Sequence, residues 1–146
     1  MATAGYPLAT IAALGFLASA LCHVLAWLEI EPPKAVMALH VLALALWFPL
    51  VLFANRTMPK PGRGNMEHLL AEFPKWMGVV FGCLLGYAIL NFVYFAICTR
   101  QFPKDGVPFT LELRGFSGHW MLFYGVATVG FVALARLGKR QQEPQG

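Results

Sequence analysis

Charged residues are scarce in this sequence. Only 12% of its 146 residues are Asp, Glu, Lys or Arg and 58% are hydrophobic, whereas a soluble domain has about 25% charged and about 45–50% apolar residues. The 11 basic residues outnumber the 7 acidic ones, but they form no run with interleaved aromatic side chains. The composition therefore argues against an ordinary soluble domain and gives no support to a nucleic-acid partner.

Cysteine is scarce as well. Cys22, Cys83 and Cys98 are widely spaced, and no two of them form a CxxC pair. The spacing argues against a disulfide framework and against a zinc site built from cysteines. We expect these side chains to be buried, because a free cysteine behaves as a small hydrophobe.

Acidic side chains are absent from four long apolar segments, residues 8–28, 35–54, 76–98 and 116–137. Each is about as long as the 20 residues that an α-helix needs to cross a hydrocarbon core about 30 Å thick. The segments predict an all-α, polytopic membrane protein, in which residues 1–146 form one domain with a four-transmembrane-helix antiparallel bundle. Residues 1–8 lack the Lys or Arg of a signal peptide, so the first segment is expected to be a retained helix.

The connections predict how the helices are threaded. Glu29 to Pro33 form a very short turn, because proline cannot continue a helix, so the first two helices are expected to be antiparallel neighbours. One side of the membrane receives seven basic residues: Arg56, Lys60, Arg63, Lys75, Arg136, Lys139 and Arg140. The other side receives four: Lys34, Arg100, Lys104 and Arg114. Cytoplasmic loops carry the excess of Lys and Arg, which predicts cytoplasmic termini, a cytoplasmic loop 55–75 and tail 138–146, and a non-cytoplasmic loop 99–115.

Three glycines recur every four residues in the third segment, at Gly78, Gly82 and Gly86. Small residues at this spacing let a second helix approach closely, which is how helices associate in lipid. We expect this face to pack within the bundle. The alternatives are pairing with a second copy of the chain or docking onto a larger membrane complex.

Polar side chains are predicted to gather in the non-cytoplasmic half of the bundle. His23 lies five residues before the end of the first segment and His40 five residues after the start of the second, so their depths match in an antiparallel hairpin. His119 lies near the start of the fourth segment. Asn91, with Tyr87 and Tyr94, lies near the end of the third. Ionisable groups in a membrane are candidates for function.

Four uses of these groups stay open. They could form a structural hydrogen-bond network between helices. His23 and His40 could hold a haem b, or a histidine with Asn91 or Tyr94 could bind the carbonyls of a quinone. Three histidines could also bind a metal ion.

The densest local pattern is Arg114-Gly-Phe-Ser117-Gly118-His119-Trp120. Ser117 could cap the fourth helix, and the glycines would allow a sharp entry from the loop. This pattern predicts a re-entry turn into the membrane, with Arg114 near headgroups or a ligand carboxylate and Trp120 as an interfacial anchor. A substrate or partner contact at this turn is the alternative.

Residues 114–124 (RGFSGHWMLFY), 39–52 (LHVLALALWFPLVL) and 86–95 (GYAILNFVYF) resemble a family of small, uncharacterised four-helix bacterial membrane proteins with an RGFSGHWM signature. The resemblance covers roughly the last three-quarters of the chain. It implies a bacterial inner-membrane protein, and it carries over no activity, cofactor or catalytic residue.

The sequence does not favour an enzyme, since the segments hold no carboxylate and no evident nucleophile–base pair. Small proton-coupled exporters rely on an acidic residue in the membrane, which these segments also lack. We therefore predict a non-catalytic structural or assembly subunit of a membrane complex. The alternative is a respiratory-type subunit that binds haem b or quinone through its histidines.

Overall fold

The computed structural model of the chain describes residues 2–57, 73–103 and 106–140. They form four α-helices: α1 (Ala2–Trp27), α2 (Ala38–Thr57), α3 (Lys75–Cys98) and α4 (Phe109–Arg140). All four are long and apolar enough to span a membrane, which confirms the predicted class of a polytopic four-helix membrane protein. Short 3₁₀ turns, Lys34–Met37 and Thr99–Gln101, precede α2 and follow α3.

Helix α4 lies at the centre of the bundle and contacts each of the other three helices. Its most extensive partner is α1, which runs antiparallel to it. His23 near the end of α1 meets Ser117 near the start of α4, and Gly5 at the start of α1 meets Ala135 near the end of α4. The two helices thus contact each other along nearly the whole length of α1.

Small residues allow the close approach of α1 to α4. A Cβ at Gly5 would lie 2.8 Å from the Cβ of Ala135, and a Cβ at Gly15 would overlap the ring of Tyr124. Ala12 and Ser19, on the same face of α1, are fully buried. Lipid is as apolar as the helix surface, so this close van der Waals packing is what favours helix contact over lipid contact.

Helix α2 runs parallel to α4 and is fixed to it at three levels. Trp120 Nε1 donates to His40 Nδ1 at 2.9 Å, and the hydroxyl of the fully buried Tyr124 donates to the Leu39 carbonyl at 2.7 Å. Near the other end, a Cβ at Gly130 would lie 2.7 Å from Leu50 Cδ1. Since α1 and α3 run opposite to α4, the helices alternate in direction as predicted.

Helix α3 contacts α4 through a narrow face on which only Ala88 and Asn91 are buried. Gly78, Gly82 and Gly86 lie outside this contact, because a Cβ added at any of them would meet nothing within 4 Å. The prediction that these glycines pack within the bundle is therefore wrong for the part of the chain that the structure describes. We call them the glycine face of α3, a surface that the rest of the described chain leaves open.

Helix α4 begins at Phe109 rather than at residue 116, so the predicted re-entry turn is wrong. Arg114, Ser117, Gly118 and Trp120 all lie inside one continuous helix. The backbone N–H groups of residues 111 and 112 donate to the Pro108 carbonyl, which starts the helix there. The Ser117 hydroxyl donates to the carbonyl of Leu113 at 2.6 Å instead of capping a helix end.

The turn between α1 and α2 contains a residue in the left-handed backbone conformation. Glu29 has φ 58, the Ile30 N–H donates to the Leu25 carbonyl at 2.9 Å, and the Glu29 N–H donates to the Ala26 carbonyl at 3.3 Å. This is the Schellman pattern of helix ends, in which glycine usually holds the left-handed position. It reverses the chain within a few residues, as the sequence predicted.

Several predictions fall at the edges of the described chain. Lys60, Arg63 and Lys104 lie outside the described residues, as do most of loop 55–75 and residues 141–146 of the tail, whereas residues 138–140 are helical. Cys22 is buried as expected, but Cys83 is exposed and Cys98 is partly exposed. Burial therefore does not explain the cysteines as a set.

Candidate functional site

The predicted polar residues lie at one end of the bundle, where α1 and α3 end and α2 and α4 begin. We call this the polar end, and it contains His23, His40, Asn91, Arg114, Ser117 and His119. His23, Asn91 and Ser117 are buried. The polar residues are not gathered around one central point, and most of their contacts are made with α4.

His23 links three helices. Its Nδ1 lies 2.7 Å from Ser117 Oγ on α4, and its Nε2 is hydrogen-bonded to the Tyr87 hydroxyl on α3. Within α1, Trp27 Nε1 donates to the same Nε2 at 2.9 Å. One imidazole ring therefore fastens α1, α3 and α4 together at the polar end.

The donors around His23 assign its tautomer. An indole N–H only donates, so Nε2, which accepts from Trp27, is unprotonated and the neutral ring carries its proton on Nδ1. The Nδ1–H group donates a hydrogen bond to Ser117 Oγ, and the Ser117 hydroxyl donates one to the Leu113 carbonyl. Every polar atom of the His23 side chain thus has a partner within the bundle.

Asn91 forms a second set of contacts. Its Nδ2 donates to the Arg114 carbonyl at 2.5 Å and also lies 3.4 Å from the Gly115 carbonyl. Gly118 makes room for it, because a Cβ there would lie 2.6 Å from that same nitrogen. The asparagine predicted to bind a cofactor therefore binds the backbone of α4 and docks α3.

His40 and His119 are engaged separately. His40 Nδ1 accepts from Trp120, which leaves the proton of the neutral ring on Nε2. His119 Nδ1 donates to the Gly115 carbonyl, one turn earlier in α4, at 2.9 Å, and its ring packs edge-on against Phe92 at 5.2 Å between centroids. Within the described part of the chain, no three His, Cys, Asp or Glu side chains are placed to hold a metal ion.

Arg114 closes the polar end. Its Nη2 donates to the Ala26 carbonyl at 3.0 Å. The positive charge there also interacts favourably with the negative, C-terminal end of the α1 dipole. Its Cζ lies 4.2 Å from the centroid of the Trp27 ring. Trp27 in turn stacks on Tyr94, at 6.2 Å and an interplanar angle of 25°, so Tyr94 contributes an aromatic face.

A haem held between His23 and His40 does not fit this geometry. Iron would bind the Nε2 lone pair of His23, which accepts from Trp27 and Tyr87. To bind iron through Nε2, His40 would need its proton on Nδ1, where the Trp120 N–H already points. For a quinone, the donors of Trp27, Tyr87 and Asn91 are each used inside the bundle.

Sequence reasoning missed the roles of Trp27 and Tyr87 as hydrogen-bond partners of His23. Helical spacing carried the signal, because residues four apart share a helix face. Trp27 follows His23 by four residues, and Tyr87 precedes Asn91 by four. The capping of α1 by Arg114 had no such signal, since it depends on how two distant helices align.

No family model, curated protein or solved structure matches this chain. The resemblance of residues 114–124 to a bacterial membrane family therefore stays a prediction. What can be inferred about function comes from the helices and from the contacts at the polar end.

Proposed function

We propose that this chain is a non-catalytic structural or assembly subunit of a larger membrane complex, and that the glycine face of α3 is its docking surface. The proposal rests on the space over Gly78, Gly82 and Gly86, which the described residues leave open. A partner's transmembrane helix could approach the α3 backbone there, and such close packing holds helices together in lipid. The occupant we propose is a transmembrane helix of another subunit.

The contacts at the polar end are a second, independent observation that supports a structural role. The histidines and the asparagine there are used in contacts between and within helices. Ionisable groups in membranes are functional candidates by default, and here joining helices accounts for them. The alternative of a haem b or quinone subunit has less support, because those ring nitrogens and donors are already engaged.

The proposed setting is a bacterial inner membrane with both termini in the cytoplasm. Three described basic residues, Lys34, Arg100 and Arg114, lie at the polar end, whereas Arg56, Lys75, Arg136 and Lys139 lie at the other. The excess of basic residues supports a cytoplasmic location for the second end. The resemblance of the RGFSGHWM stretch to small bacterial membrane proteins supports the choice of membrane.

The size of the native complex in mild detergent tests this proposal. Gly82→Leu adds four carbons to the glycine face, where an added Cβ meets no atom of the described chain within 4 Å. Val80→Phe also adds four carbons, but on an exposed position of α3 about 200° away around the helix. We expect Gly82→Leu to release the chain from its complex and Val80→Phe to leave the complex intact. Equal behaviour of the two variants would contradict the proposal.

A further inference from the structure

Arg114 brings a full positive charge into a helix long and apolar enough to span the membrane. Among the described residues its contacts are the Ala26 carbonyl and the Trp27 ring, which are both uncharged. A guanidinium cannot lose its proton in a protein, and a charge removed from water is costly without an opposite charge nearby. Its contacts therefore stabilise the group without neutralising it.

Part of the hydrogen-bonding capacity of Arg114 is unused. A guanidinium has five N–H groups in a planar fork. Nη2 supplies one to Ala26, and the buried Nε has no acceptor in the part of the chain that the structure describes. Planar forks of this kind match the oxygens of phosphate, which they bind with two parallel bonds. The buried Nε is closed to an outside ligand, so the charge and the Nη donors that Ala26 does not use are what point to an anionic oxygen ligand.

The surroundings of Arg114 place it at the level of the headgroups. The group that it caps, Ala26, is in the last turn of α1, and α1 ends where the membrane boundary is expected. Trp27 and Tyr94 beside it are 50% and 43% exposed, and Trp and Tyr are enriched at this boundary. Leu28 and Ile97 at the same end are 63% and 60% exposed, which offers an apolar surface to acyl chains.

We propose that the Arg114 guanidinium, flanked by Trp27 and Tyr94, binds the phosphate of an anionic phospholipid headgroup. The phosphate supplies the missing negative charge and an acceptor for the fork, while the acyl chains lie against the exposed apolar residues. This site is formed by α1, α3 and α4 at the polar end, away from the glycine face. Failure of one test therefore leaves the other intact.

Native mass spectrometry of the protein in neutral detergent tests this site, with phosphatidylglycerol as the probe. Diacylglycerol provides acyl chains without phosphate, and inorganic phosphate provides the anion alone. We expect phosphatidylglycerol to bind and the two partial ligands not to compete. Arg114→Gln should weaken its binding about tenfold, the loss of one charge-assisted contact. Arg100→Gln, an exposed arginine at the same end, should change it less than about twofold.

Other outcomes overturn the proposal. Equal weakening by Arg114→Gln and Arg100→Gln would mean a general charge effect. Competition by inorganic phosphate would mean a free-phosphate site, and equal binding of diacylglycerol would mean an acyl-chain contact only. If Arg114→Gln is not monodisperse, Arg114→Lys decides, because it keeps the charge and lacks the fork. We expect about threefold weaker binding with lysine, and unchanged binding would contradict the site.

Discussion

The imidazole Nδ1 of His23 lies 2.7 Å from the hydroxyl oxygen of Ser117, across the interface between α1 and α4. The two residues are 94 positions apart in the chain, and both are buried. The Trp27 N–H fixes the ring as the donor in this contact. A histidine that would otherwise be a candidate ligand is thereby used to hold helices in register.

This contact predicts that Ser117→Ala destabilises the bundle more than Ser19→Ala does. The Ser117 change leaves the buried Nδ1–H of His23 without an acceptor, and such bonds in membrane proteins contribute about 0.6–1.7 kcal/mol. Ser19 is equally buried, but within the described chain its hydroxyl bonds only to the carbonyl of Gly15 in its own helix. Reversible unfolding in mixed detergent micelles measures both free energies of unfolding. Equal losses would contradict the assigned role of Ser117.

The approach of α3 to α4 predicts a contrast between two glycines. Gly118→Ala places a Cβ 2.6 Å from Asn91 Nδ2, so the buried Asn91 amide must leave its bond to the Arg114 carbonyl or α3 must shift, at a cost of about 1–3 kcal/mol. Gly82→Ala meets nothing within 4 Å, so the stability of the monomer should change by less than about 1 kcal/mol. Thermal unfolding of the detergent-purified monomer compares the two variants. A larger loss from Gly82→Ala would contradict the packing described.

The left-handed conformation of Glu29 predicts a stabilising substitution. For an L-residue this conformation costs about 1–2 kcal/mol, which glycine avoids. Glu29→Gly should therefore raise the free energy of unfolding by about 1 kcal/mol. Glu31→Gly is the control, because Glu29 is the sole non-glycine residue with positive φ in the described chain. If the two changes had the same effect, the Schellman end of α1 would not be formed.

Absorbance spectroscopy separates the structural role of the histidines from haem binding. Because His23 Nε2 and His40 Nδ1 both accept from indole N–H groups, we expect no haem bands in a reduced-minus-oxidised spectrum of the purified protein. His23→Ala should instead lower stability. A Soret band that disappears in His23→Ala or His40→Ala would favour the respiratory-type alternative.

The four helices were predictable because lipid selects long apolar segments, and apolar length is a property of the sequence alone. The common depth of His23, His40 and Asn91 was predictable for the same reason, since helix direction alternates along the chain. Their partners were not, because these depend on how each helix is rotated. His23 is hydrogen-bonded to Ser117 and Tyr87, whereas His40 is hydrogen-bonded to Trp120.

Two of the corrections concern glycine, whose role depends on its neighbours. Gly115 and Gly118 suggested a turn, but they lie inside α4 where Phe95 and Asn91 approach the backbone. The glycines of α3 suggested packing within the bundle, but they face away from it. The same residue type thus marks a contact within the chain in α4 and an open surface in α3.

Cross-linking in native membranes is the most direct test of the proposed docking through the glycine face. Ile89 is 54% exposed and lies seven residues from Gly82, on the same side of α3. Val80 lies on the opposite side. In a background with the exposed Cys83 and the partly exposed Cys98 replaced by serine, we expect Ile89→Cys, but not Val80→Cys, to cross-link to one other membrane protein. Gly82→Leu should abolish the product. Products of equal yield from both positions, or a product that persists with Gly82→Leu, would contradict the assembly role, and a product with a second copy of this chain would replace the proposed partner with a homodimer.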